Sequence, residues 1–140
     1  MEPHLEPSHA AAVALIKRGI AGELVMLNLL RFREVADYAA HPELAPSAPI
    51  SGAAAYDCYI TEALPYLHAS GGELLFVGEG GSLLIGPEQE RWDRVLLVRQ
   101  RSVQDFLAFA ANEAYLAGLG HRTAALADSR LLPLVPLPMA

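Results

Sequence analysis

Glu23-Leu-Val-Met-Leu-Asn-Leu-Leu-Arg31 is the stretch whose reading decides the fold, and two later runs repeat its character: Glu73-Leu-Leu-Phe-Val-Gly78 and Arg94-Val-Leu-Leu-Val-Arg99. Each run is short, is bounded by charged residues or glycine, and is apolar at odd and even positions alike. A strand sends successive side chains to opposite faces, so a strand apolar on both belongs to a sheet covered on both sides. Amphipathic helices elsewhere in the chain can cover one face. A second copy of the same sheet is the natural cover for the other, which predicts a homodimer.

Working outward, Ser8 is a good N-cap for a helix over 8–16, with Gly19 as its stop and Val13, Ile16 and Ile20 as its packing side. The segment 33–51 carries Pro42, Pro46 and Pro49 and holds no sustained period. A loop of that length in a small domain is expected to be a lid, a binding loop or an interface arm. A helical turn over 35–40 would place Tyr38 on it. Residues 52–69 read as a helix with Tyr56, Ile60, Ala63 and Leu67 in one stripe flanked by Tyr59 and Tyr66, while Asp57, Thr61, Glu62 and His68 face water. Pro65 falls inside it and should bend its last turn. Ser102 caps a further helix with Val103, Phe106, Leu107 and Ala110 at apolar spacing. Shorter helical pieces follow over 113–119 and 121–127, then a last strand over 129–135 that Pro133 confines to an edge.

The order strand, helix, strand, strand, helix, strand is that of an α+β, ferredoxin-like (βαββαβ) antiparallel sheet with helices on one face. Residues 1–22 form an N-terminal helical extension and residues 23–140 the domain itself. Composition narrows the partners. A net charge of −6 without a Lys/Arg cluster speaks against nucleic acid and anionic membrane. The apolar content of 53% against 19% charged residues points to an oligomer interface or a ligand cavity. No apolar run approaches the ~20 residues that span a bilayer, no secretory signal is visible, and the single cysteine, Cys58, fits a reducing compartment. A cytoplasmic protein is the expectation.

Taken together, Val25-Met-Leu-Asn-Leu-Leu-Arg-Phe32, Gly52 followed by Tyr56 and Tyr59, Gly71-Gly72-Glu73, Trp92-Asp93, Ser102 with Phe106, Tyr115, and His121-Arg122 before Asp128-Ser-Arg-Leu-Leu132 form a distinctive set. The chain resembles, over residues 23–134, the family catalogued as domain of unknown function 1330, a branch of the dimeric α+β barrel superfamily. The resemblance implies a protomer whose sheet pairs with its partner's into a barrel, and it implies no particular reaction. Relatives across the superfamily include cofactor-independent monooxygenases, isomerases and ligand-binding proteins, often with the ligand between helices and sheet.

Five residues are the candidates for chemistry. Asn28 is the strongly polar side chain inside the first strand and needs a partner there, whether a neighbouring element or a ligand oxygen. Arg122, on a helical face with Leu119 and Leu126, either pairs with a carboxylate such as Asp93 or Asp128 or receives an anionic ligand. His121 is a candidate acid or base because imidazole titrates near neutrality, and equally a solvent-exposed residue at a helix start. Tyr59, at the edge of its stripe, and Trp92 are candidates to complete a partly polar cavity or, equally, core. These roles divide as catalytic for Tyr59 and His121 and ligand-binding for Asn28, Trp92 and Arg122. The expected pocket lies between helices and sheet, with 33–51 as its cover. The five histidines offer no pair at ligand spacing, and neither a phosphate loop nor a dinucleotide fingerprint is present, so neither metal nor cofactor is expected. The chain therefore reads as a cofactor-independent small-molecule enzyme, monooxygenase- or isomerase-like. The alternative is a non-catalytic binding or structural dimer module.

Overall fold

The computed structural model describes residues 2–139. The elements are α1 (His9–Lys17), β1 (Leu24–Phe32), α2 (Gly52–Ala69), β2 (Glu73–Ser82), β3 (Arg91–Gln100), α3 (Val103–Ala110), α4 (Glu113–Leu116), α5 (Leu119–Ala125) and β4 (Leu126–Leu134). The four strands pair antiparallel in the order β2-β3-β1-β4, the ferredoxin-like arrangement. Serine hydroxyls set the starts of three helices, as Ser8, Ser51 and Ser102 accept from the backbone N–H groups of Ala11, Ala54 and Asp105. Pro65 is accommodated within α2, which runs unbroken from Gly52 to Ala69.

Alternation along β1 divides the protein into two sides. Leu24, Met26 and Leu30 are fully or almost fully buried under the helices. Leu30 packs with Ala55, Tyr56, Tyr59 and Ala63 of α2, Leu96 of β3, Ala125 at the end of α5 and Leu126 at the start of β4. Leu24 and Met26 form a second cluster with Leu15 of α1, joined by Val103 and Phe106 of α3. The residues between them on β1 face the other way. There, Leu132, Leu27, Leu97 and Phe76 stand side by side across all four strands. Leu132 and Phe76 are each 53% exposed, so this row is an apolar stripe open to solvent.

The details differ from expectation in several places, α5 for one covering Leu119–Ala125 where 121–127 was expected. The N-terminal helix packs through Leu15, whereas Ile16 is largely exposed, because the helix docks on Leu24 and Met26 from a slightly rotated face. The segment 33–51 forms no helical turn over 35–40 but a tight turn closed by His41 N–H on Tyr38 O (2.9 Å) and a 3-10 turn at Pro42–Leu44, where proline suits the first helical position. The helical piece over 113–119 is shorter, with α4 ending at Leu116. The last strand begins at Leu126, three residues earlier than the polar run suggested, since β1 offers it a continuous antiparallel partner.

Candidate functional site

The Pro-rich segment is strapped to its own chain by backbone hydrogen bonds at both ends. Arg33 N–H donates to Ala125 O (2.8 Å) and Asp37 N–H to Ala124 O (2.9 Å). Gly52 N–H donates back to Arg33 O (3.1 Å), and Ala36 N–H to Ile50 O (2.9 Å). This path brings Tyr38 against the outer side of α2 and α5. Its hydroxyl lies 2.7 Å from His121 Nδ1, and the two rings meet edge to face at 5.6 Å. The other ring nitrogen, Nε2, lies 2.9 Å from a carboxylate oxygen of Glu62. An ionised Glu62 accepts only, so Nε2 carries the proton, and in the neutral imidazole Nδ1 then accepts from the Tyr38 hydroxyl. Burial pushes the Tyr38 hydroxyl up, with Cys58 and Glu62 adding to the effect, so it stays a neutral donor.

Beside this chain of hydrogen bonds lies a depression of about 410 Å³ lined by Asp57, Cys58, Thr61, Glu62 and His121. Asp57, Cys58, Thr61 and Glu62 come from successive turns of α2 and His121 from α5. At its edge Arg94 reaches over from β3 to Asp57 (2.7 Å). The imidazole is almost enclosed, at 13% side-chain exposure, while Glu62 is half exposed at 52%. The arrangement can hold an imidazole in one orientation and pass a proton between it and a molecule in the depression.

The other candidates lie elsewhere. The space between α2 and the sheet is filled by Tyr56, Tyr59, Leu30 and Leu96, and Tyr59 shares a hydrogen bond of 2.7 Å with the Tyr115 hydroxyl. Burial pushes the Tyr59 hydroxyl well up and that of Tyr56 to about 12. Arg122 follows His121 on α5. It pairs with neither Asp93 nor Asp128 but donates to Leu5 O and to the Ser129 hydroxyl, and its charge and a hydrogen bond bear on Tyr56. Asp93 is taken by Arg91, and Asp128 by Arg31 and Arg130. Asn28 sits among the helix-facing residues of β1 and donates at 3.3 Å to Met26 O of its own strand. Trp92 is buried, with the guanidinium groups of Arg31 and Arg130 at 5.5 and 5.1 Å from its ring, and donates to Glu90. Thus Asn28, Tyr59, Trp92 and Arg122 line neither of the two best-formed depressions among the described residues. The physical reason is the bulk of the tyrosine stripe, which occupies the expected pocket itself. Of the five candidates, His121 is the one that lines either of these two depressions. Glu62 and Tyr38 were not singled out as its partners. The i, i+4 spacing of Cys58 and Glu62 on the polar side of α2 was a signal, but nothing local links either residue to position 121.

Among solved structures the chain is similar to the RPA0582 protein of unknown function from Rhodopseudomonas palustris, with 32% identity, a TM-score of 0.84, and coverage of 99% of this chain and 100% of that one. The chain belongs to that protein's family. A methylated form of the same protein matches with the same identity and TM-score over 99% of this chain and 98% of that one. A dimeric protein of unknown function and ferredoxin-like fold from Bacteroides fragilis matches more loosely, with 14% identity, a TM-score of 0.47, and coverage of 79% and 93%. No family model matches the chain, and no curated protein matches it. Among the described residues, no group of three or more His, Cys, Asp or Glu is placed to hold a metal ion, and no helix is long and apolar enough to cross a membrane.

Proposed function

We propose that the protein is a cofactor-independent enzyme that moves a proton on a small polar metabolite in the depression between α2 and α5. The observation that carries this reading is the pair of short contacts on one imidazole, Tyr38 Oη to Nδ1 and Glu62 to Nε2. Holding both nitrogens fixes the ring's orientation, and imidazole is the side chain matched to proton transfer near neutral pH. Because Glu62 is half exposed, a substrate oxygen entering the depression can take its place at Nε2. The Nε2–H then donates to the substrate's carbonyl oxygen, the displaced Glu62 carboxylate takes the proton from the adjacent carbon, and Tyr38 keeps the ring in place through Nδ1. The carboxylates of Asp57 and Glu62 disfavour an anionic substrate and suit a neutral hydroxy-carbonyl compound.

The test is deuterium uptake, followed by NMR in D₂O, at the carbon next to the carbonyl of a panel of small neutral hydroxyketones. The wild-type chain is expected to accelerate exchange on at least one compound, and His121→Ala to lose that acceleration while remaining folded by circular dichroism. Exchange at the same rate with both proteins would overturn the reading and leave a binding module.

The assembly that accompanies this reading is a two-fold homodimer of the dimeric α+β barrel kind, consistent with the resemblance to domain of unknown function 1330. The open stripe Leu132, Leu27, Leu97 and Phe76 supports it, because an apolar row across a whole sheet face is costly to leave in water. Light scattering at micromolar concentration is expected to return twice the 15.0 kDa of one chain.

A further inference from the structure

Residues 2–8, before α1, have no secondary structure of their own, yet they are bound at one specific place. His4 N–H donates to the Asp128 carboxylate (2.8 Å), the Ser129 hydroxyl donates to His4 O, and Arg122 donates to Leu5 O. The Leu5 side chain packs on the cluster that contains Tyr56, Tyr59 and Leu126. The strap thus presents an apolar side chain and a carbonyl oxygen together to a partly buried guanidinium.

Arg122 is unusual among its neighbours. Arg31, Arg91, Arg94 and Arg130 each meet a carboxylate, whereas Arg122 has only neutral oxygens within hydrogen-bond distance. A guanidinium binds a carboxylate far better than a peptide carbonyl, because the bond is charge-assisted and can be bidentate. Asp128 flanks the place, but its charge is already met by Arg31 and Arg130. The tyrosine hydroxyls behind it are held neutral by burial, and so add no negative charge.

We infer that the Arg122–Ser129 corner is a binding site for a small apolar carboxylate, and that the N-terminal strap occupies it through Leu5 until such a ligand displaces it. The carboxylate takes the place of Leu5 O on Arg122 and of His4 O on the Ser129 hydroxyl, and the apolar body takes the place of the Leu5 side chain. Arg122, Ser129 and Leu5 do not line the His121 depression, and this inference does not depend on it.

The probe that copies the strap is 4-methylpentanoate, which has the carbon skeleton of leucine ending in a carboxylate. Calorimetric titration of the full chain is expected to give weak saturable binding, tightened at least tenfold by Leu5→Gly or, should that variant not fold, by Leu5→Ala. Binding is expected to be lost in Arg122→Met and with the neutral 4-methylpentanamide. In the wild-type chain, saturating probe is expected to speed hydrogen exchange of the His4 amide, because its bond to Asp128 opens. Unchanged affinity in the folded Leu5 variants, undiminished binding by Arg122→Met, or unaltered His4 exchange at saturation would each overturn the inference.

Discussion

His121 and Tyr38 lie 83 positions apart in the chain and share a hydrogen bond of 2.7 Å, with the imidazole's other nitrogen on Glu62. This one contact fastens the middle of the Pro-rich segment to α5, and so joins the loop's placement to the orientation of the ring that faces the depression. Tyr38→Phe removes the hydroxyl and leaves Nδ1 without a donor. The expected loss of stability is about 0.5–1.5 kcal/mol, read from urea unfolding. The NMR signals of the His121 ring protons, compared at one pH, should move in the same variant. Unmoved signals would mean that the hydroxyl does not bear on the ring.

Leu96 and Leu97 are neighbours with opposite fates. Leu96 is 2% exposed beneath α2, and Leu97 stands in the open row on the far side of the sheet. Leu96→Ala is expected to cost about 2–5 kcal/mol in unfolding free energy, the range for truncating a buried leucine. Leu97→Glu should leave the protomer folded and halve the mass found by light scattering, since a charge in the middle of a sheet-to-sheet interface is costly. A variant that keeps the dimeric mass would show that the two sheets do not meet there.

Asp128 gives the protein a defined acid sensitivity. Burial alone would raise its carboxyl, but bonds from the His4 and Ser129 N–H groups and from Arg130 outweigh that and hold it at about 2. The folded value lies below the unfolded one, so the stabilisation is complete above the unfolded value near 4 and is lost as pH falls towards 2. It amounts to about 2 kcal/mol. Asp128→Asn should lower the melting temperature at pH 7 and flatten its dependence between about pH 4 and pH 2, as measured by calorimetry.

Gly52 opens α2 where the backbone of Arg33 crosses it. A Cβ there would lie 2.2 Å from Arg33 O and 2.6 Å from Ala125 O, both of them backbone atoms that cannot swing aside. Gly52→Ala is expected to cost about 1–3 kcal/mol by forcing the loop and the end of α5 apart. Gly81→Ala, where nothing lies within 4 Å, is the matched control and should change stability little. Equal urea midpoints for the two variants would contradict this.

Much of the architecture was legible in the chain because it is specified locally. The serine caps at positions 8 and 102, the tyrosine stripe of α2 and the doubly apolar strands each depend on residues a few positions apart, and the structure places them as read. From those elements the ferredoxin-like order followed. The site was less legible. His121 stood out by its side chain, but its partners Tyr38 and Glu62 lie on two other elements. Arg122 stood out as a cation on an apolar helical face, yet its acceptor is a backbone carbonyl at position 5, which has no sequence signature at all.

The sequence by itself determined the strands, the principal helices, their caps and the presence of two apolar sheet faces, since periodicity and capping act over single turns and single strands. Only the tertiary structure decided that the tyrosines fill the space between α2 and the sheet, that the 33–51 segment lies across α2 and α5, and that the N-terminal strap rests on Arg122. Those outcomes depend on side-chain volume and on hydrogen bonds between residues some 60 to 120 positions apart. Such contacts are chosen by the packing of the whole domain, and no local pattern encodes them.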